Sequence, residues 1–175
     1  MLDYLPQGRS TERGFYKEPV ALGLGELELK LLEILPKLGT ALVIGDRIPL
    51  LPVGNLAPPI DHVRRRLSFG ELTAEAQREL PIALGKIVTT DPARFLKFFN
   101  QAEAVSRRFH LLELLPGIGK KTMWAIVEER RRGPFESFAS LEERTHVKHP
   151  EKLIVARIVQ ELQGAEDKYR LFVAP

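Results

Sequence analysis

Residues 115–122 read Leu-Pro-Gly-Ile-Gly-Lys-Lys-Thr, and glycines followed by two lysines at that spacing suit the holding of a phosphate. Without side chains on Gly117 and Gly119, the amides of Gly117, Ile118 and Gly119 can come close to an anion. They do so at the start of a following helix, where the dipole favours negative charge. Lys120 and Lys121 add full positive charges at the same end. With no anion present they oppose the dipole at a cost of roughly 0.3 kcal/mol each, which argues for a ligand. A bare Pro-Gly would be ordinary punctuation between two helices, whereas the complete string points to anion binding.

The elements that would position this string are legible on both sides. Phe109, Leu111, Leu112, Leu114 and Leu115 predict the buried face of a helix that Ser106 could cap, and Pro116 stops it. Met123, Ile126 and Val127 recur at i, i+3, i+4 as a second apolar stripe. The expected local structure is helix, tight hairpin, helix, with Trp124 anchoring the packing of the second helix.

Charge is distributed unevenly. The chain has 175 residues and a net charge of +3, but residues 62–132 carry 14 Lys/Arg against 8 Asp/Glu, while the flanking segments are slightly acidic. Arg64-Arg65-Arg66, Arg107-Arg108, Lys120-Lys121 and Arg130-Arg131-Arg132 lie in that middle segment, where a polyanion would be attracted. Any one run alone would read as a solvated helix face.

Other chemistries find little support. There is no cysteine, so disulfides, iron-sulfur clusters and thiolate zinc sites are excluded. His146 and His149 have no third ligand at metal spacing, and no metal is expected. Gly23-Leu24-Gly25 lacks the context of a dinucleotide fingerprint, and no Walker loop or Ser-His-Asp arrangement stands out. No stretch of 18 apolar residues and no signal-peptide pattern occurs, so a cytoplasmic protein is expected.

Along the rest of the chain, residues 16–22, 26–35, 40–44 and 46–51 read as short strands between Gly and Pro turns. Leu27, Leu29 and Leu31 alternate with charged residues, as on a sheet with one wet face, although residues 31–35 could also form a helical turn and a half. Asp61 is placed to cap a basic helix through Leu67, and a helix from Thr73 is expected to bend or end near Pro81. Asp91-Pro92 starts another helix, whose Phe95, Phe98 and Phe99 belong to a core. Beyond Gly133-Pro134, Ser140-Leu141-Glu142-Glu143 reads as a capping box, and Val155, Ile158, Val159 and Leu162 stripe a last helix closed by Gly164. Residues 169–173 are apolar and β-prone, fitting either an added strand or a partner-binding tail.

The string at residues 115–122 resembles the hairpin of helix-hairpin-helix nucleic-acid-binding proteins. That resemblance implies a grip on the sugar-phosphate backbone by Gly117, Gly119, Lys120 and Lys121 without reading sequence, often with a monovalent cation nearby. No other cofactor is implied. In base-excision glycosylases with this hairpin, a lysine at the position of Lys121 attacks the sugar with help from a downstream Asp, and residues 134–139 contain no Asp. More widely, Asp3-Tyr4-Leu5-Pro6-Gln7-Gly8, Asp61-His62-Val63-Arg64-Arg65-Arg66, the hairpin and Pro134-Phe135-Glu136-Ser137-Phe138 resemble an archaeal family of unknown function. Its members are usually described as predicted RNA-binding proteins with an OB-like N-terminal domain.

The expectation is therefore an α+β protein. Residues 1–60 form a small OB-like β-barrel, 61–100 a helical connector, 101–165 a paired helix-hairpin-helix domain, and 166–175 a tail that could return to the barrel as a strand. The expected function is non-enzymatic, sequence-independent nucleic-acid binding, RNA before DNA, through Gly117, Ile118, Gly119, Lys120 and Lys121 with Arg64, Arg65, Arg107 and Arg108. The alternatives are a glycosylase or lyase acting through Lys121, and a protein-interaction adaptor.

Overall fold

Val20, Ala21 and Leu22 are buried without exception, and a run this apolar forms the middle of a sheet. In the computed structural model, which describes residues 1–11, 14–164 and 169–174, this run is strand β4 (Val20–Leu24). It pairs on one side with β1 (Asp3–Leu5) and on the other with β5 (Leu31–Pro36), which in turn pairs with β6 (Ile60–Arg66). All three pairings are antiparallel, and the order is β1-β4-β5-β6. A Cβ at Gly23 would lie 2.9 Å from Cδ1 of Ile34, so the end of that side chain would have to shift to admit one. Ala21, Ile34 and Ile60 form the core of one sheet face, with Met1, Tyr4, Leu32, Leu42 and Ile48 packed on it. β2 (Arg9–Thr11) and β3 (Gly14–Tyr16) make a separate two-stranded ribbon.

The β character of the N-terminal half is as expected, but its details differ. No closed barrel forms among the described residues. Residues 61–67 are not a capped helix: β6 supplies the partner that β5 needs, and Asp61 bonds His62 Nδ1 at 2.8 Å instead of capping. Residues 40–51 are not strands either. They are held by turns and by Met1, whose carbonyl accepts from Gly45 N at 2.9 Å. The alternation at 26–31 belongs to a turn in which Leu29 adopts φ 55° and is buried while Leu27 is 85% exposed. Residues 31–35 settle as strand.

The described chain divides by contacts into two compact units, Met1–Ala83 with Glu161–Pro175, and Leu84–Gln160. The division falls inside α1 (Ala74–Thr90), which continues through Pro81 without ending. Pro81 is exposed, and the carbonyl of Gln77 one turn earlier loses the amide partner that a proline cannot supply. In the first unit, Asp3 Oδ2 accepts from Thr73 Oγ1 at 2.5 Å, and Thr73 Oγ1 accepts from Ala76 N at 3.1 Å. This ties β1 to the start of α1.

The second unit contains α2 (Pro92–Gln101), a two-stranded ribbon of β7 (Ala104–Ser106) and β8 (Phe109–His110), α3 (Lys120–Arg131), α4 (Phe138–Thr145) and most of α5 (Pro150–Leu162). Asp91 caps α2, and Phe95 and Phe99 are buried core residues as expected. α4 begins one turn earlier than the capping-box pattern suggests, because Ser137 rather than Ser140 is the cap, accepting from Ser140 N at 3.0 Å. Of the expected stripe on α5, Ile158 is fully buried while Val155, Val159 and Leu162 are half-buried, and the buried face is completed by Ile154, Arg157 and Glu161. Arg157 NH1 reaches Leu114 O at 3.4 Å, and the Glu161 carboxylate accepts from the N–H groups of Leu171, Phe172 and Val173 at 2.7, 3.1 and 3.0 Å. The tail is thus pinned by a carboxylate, and no strand forms among its described residues.

Candidate nucleic-acid interface

The hairpin closes as a β-turn: Ile118 N donates to Leu115 O at 3.1 Å, with Pro116 and Gly117 at its centre. Gly117 sits at φ 82°, a conformation open to glycine and costly to other residues, and Pro presets the position before it. Gly119 is different. It is extended, and a Cβ there would meet nothing within 4 Å, so the backbone does not require this glycine. It leaves open space at the helix start. Leu115 and Ile118 are buried and anchor the loop from beneath, and the Ile118 amide is spent inside the turn, not offered to an anion.

The first helix of the expected pair is absent. Residues 104–110 form the β7–β8 ribbon, and only a 3-10 turn, Leu111–Leu114, precedes the hairpin. His110 caps it, its Nδ1 accepting from Leu112 N at 3.1 Å while Glu113 Oε2 accepts from His110 N at 2.9 Å. Ser106 accepts instead from Arg108 N inside the ribbon's own turn, at 3.2 Å. A side chain at 110 that can cap, followed by Glu113, is the signal that sequence reading missed. Burial, and then the charge of Arg130, hold the His110 imidazole below its ordinary pKa, so it is neutral at pH 7.

The ribbon changes the site's composition. Its turn carries Arg107 and Arg108, and Lys120 Nζ donates to the carbonyl of Arg108, closing a twelve-residue separation. The Arg107–Arg108 turn therefore lies within reach of the Lys120 side chain at the start of α3. The two lysines are not equivalent. Lys120 also pairs with Glu113 Oε2 at 3.0 Å, whereas Lys121 is exposed and makes no ion pair among the described residues. The backbone N–H of His110 and then the Lys120 ammonium keep the Glu113 carboxyl below its usual pKa, so it stays charged.

Arg144 secures the other end of α3. Its guanidinium donates to the carbonyls of Glu129 and, at 3.0 Å, Gly133, and lies 4.5 Å over the Phe135 ring. Asn100 binds both backbone groups of Phe135, at 3.0 and 2.8 Å. These contacts give the hairpin a fixed base.

Arg64 and Arg65 lie in the other unit, on β6, and their charge is answered there. Glu33, with a side chain only 2% exposed, accepts from Arg65 at 3.2 Å and Arg9 at 3.4 Å and lies 3.5 Å from Arg64. Arg65 also meets Glu71 at 2.5 Å, and Arg64 meets Glu18 at 2.6 Å. The Ser68 backbone N–H and then Arg65 hold the Glu71 carboxyl down at about 2. These arginines are the counterions of a buried glutamate. The same unit has a mainly apolar pocket of about 740 Å³ between β4–β5 and residues 46–53, lined mostly by aliphatic and proline side chains, with Glu26, Asp46 and Arg47 among them and no aromatic. That lining suits an apolar group and offers no stacking surface for a base.

Trp124 does not anchor packing. It is 55% exposed on α3, and the core side of that helix is Met123 and Ile126.

Comparison with known proteins places this chain among relatives of undetermined role. Residues 1–174 match the family described as a protein of unknown function, DUF655. An uncharacterized protein of Methanocaldococcus jannaschii is 41% identical over 174 residues, covering 99% of this chain and 77% of that protein. A crystal structure of a protein of the same family from Archaeoglobus fulgidus superposes with a TM-score of 0.85 at 38% identity, covering 99% of this chain and 97% of that one. No described helix is long and apolar enough to cross a membrane.

Proposed function

The chain belongs to the DUF655 family of proteins of unknown function, and from the geometry of its hairpin we propose that it binds nucleic acid through the phosphate backbone, as a cytoplasmic, non-enzymatic module. The observation that carries the proposal is the bond from Lys120 to the Arg108 carbonyl, which gathers two separate basic elements at one exposed helix start. Lys121, Arg107 and Arg108 supply the cations, and Gly117, Gly119 and the first amides of α3 supply the neutral donors. Lys120 holds the arrangement together. In this reading the second unit is a paired helix-hairpin-helix domain whose first helix is cut to a 3-10 turn, and the sheet is an open OB-like brace. RNA is preferred to DNA on the family resemblance. A monovalent cation at the hairpin belongs to the same resemblance. No catalytic role is proposed for Lys121, since residues 134–139 offer no Asp to activate it.

Fluorescence anisotropy of a labelled RNA against salt tests this. With two to four phosphates gripped, the logarithmic slope should be about −2 to −4. Binding that ignores salt refutes it. The apolar pocket between β4–β5 and residues 46–53 favours a second reading, contact with a protein, for the other unit alone.

A further inference from the structure

Tryptophan is among the most buried residue types on average, yet the chain's single Trp is 55% exposed in the middle of a well-packed helix. Trp124 makes no ring contact or hydrogen bond among the described residues, and the core needs nothing from it, because Met123 and Ile126 fill the inner face of α3. Its position on the outer face is specific. It lies four residues after Lys120 and three after Lys121, and side chains at those spacings are neighbours on a helix, with Cβ atoms about 5–6 Å apart. The cations on its N-terminal side are those of the phosphate site, with the Arg107–Arg108 turn fixed beside them through Lys120. An indole face next to a phosphate grip is the pairing of stacking platform and backbone charge that single-stranded nucleic-acid sites use.

We propose that Trp124 stacks on an unpaired base whose phosphate is held at the hairpin, so that the natural target is RNA with single-stranded nucleotides rather than a continuous duplex. This rests on the phosphate-binding reading above and adds to it the class of target. Within an A-form duplex the base faces are covered by their neighbours, and a ring on a helix surface cannot reach them. A splayed base can lie over the ring while its phosphate meets Lys121. The base identity matters little, since every base has a face to offer.

The single tryptophan makes the test direct. The full-length protein is titrated at low salt with an oligouridylate of roughly ten nucleotides, a blunt RNA duplex, and inorganic polyphosphate as a polyanion without bases. Indole emission should be quenched by the oligouridylate and left unchanged by polyphosphate. Trp124→Ala should lower affinity for the single strand roughly tenfold, about 1.4 kcal/mol, with the salt slope kept, and Trp124→Phe should recover part of the loss. Duplex affinity should be the same in all three proteins. If the single strand binds with unperturbed emission and Trp124→Ala binds as the parent does, stacking is overturned and the phosphate site stands. Equal quenching by polyphosphate also overturns it. If none of the three ligands binds, both the site and the stacking role are wrong, and the exposed indole belongs to a protein contact.

Discussion

Glu113→Gln should increase affinity for nucleic acid, and the reason lies in the pairing of Lys120. In the structure the Glu113 carboxylate takes two donors, the His110 amide at 2.9 Å and the Lys120 ammonium at 3.0 Å. Glutamine keeps an oxygen for the first, so the cap of the 3-10 turn survives. It removes the negative charge from the second, so Lys120 gains freedom to face a phosphate. The lost ion pair is half-exposed on the lysine side, 58% against 15% for the glutamate, and such pairs are worth about 0.2–1 kcal/mol. Unfolding free energy in urea should therefore fall by no more than about 1 kcal/mol. Binding should tighten, because one carboxylate leaves the site and one more cation becomes available; each added phosphate contact steepens the logarithmic salt slope by about 0.9. Lys121→Met, by contrast, should flatten the slope by about 0.9, since that lysine has no competing ion pair among the described residues. Anisotropy titrations of both variants over a range of salt provide the numbers. Unchanged or weaker binding by a folded Glu113→Gln protein would refute the reasoning, for it would mean that Lys120 already contacts the ligand or that the ligand sits elsewhere.

Glu161→Ala should free the C-terminal tail, because three backbone N–H groups lose their acceptor together. The cost should be about 2–4 kcal/mol, and limited proteolysis should cut near residues 169–174 far sooner than in the parent; equal protease resistance would show the tail to be held by other contacts. In acid, the Glu71 carboxyl has a folded pKa of about 2 against an ordinary 4.5, so its contribution is complete above pH 4.5 and is lost as pH falls towards 2. Because the side chain is 38% exposed, solvent screening trims that contribution to about 1–2 kcal/mol. Glu71→Gln should correspondingly flatten the stability loss between those two pH values, and an unaltered acid profile would remove Glu71 from the account.

Local patterns were decisive wherever short-range chemistry sets the structure. The Pro116-Gly117 turn, the Asp91-Pro92 helix start, the apolar face of α2 and the end of α3 at Gly133 are each fixed by residues within one turn of themselves, and the sequence by itself determined them. The mixed β and α character followed in the same way. Long-range pairing decided the rest. Asp61 followed by a basic run has every local mark of a helix, yet β5 needed an antiparallel neighbour and a counterion for Glu33, and residues 60–66 supplied both as β6. Arg64 and Arg65 thereby became counterions of Glu33. Conversely, Arg107 and Arg108 stand next to Lys120 because a two-stranded ribbon formed where a helix was expected. The burial of Arg157 and Glu161 depends on the positions of Leu114 and of the tail, which a single helix cannot specify. Trp124 shows the same limit: the i, i+3 spacing that places Met123 and Ile126 inward says nothing about which neighbour covers a large ring, and only the packed fold leaves it facing water.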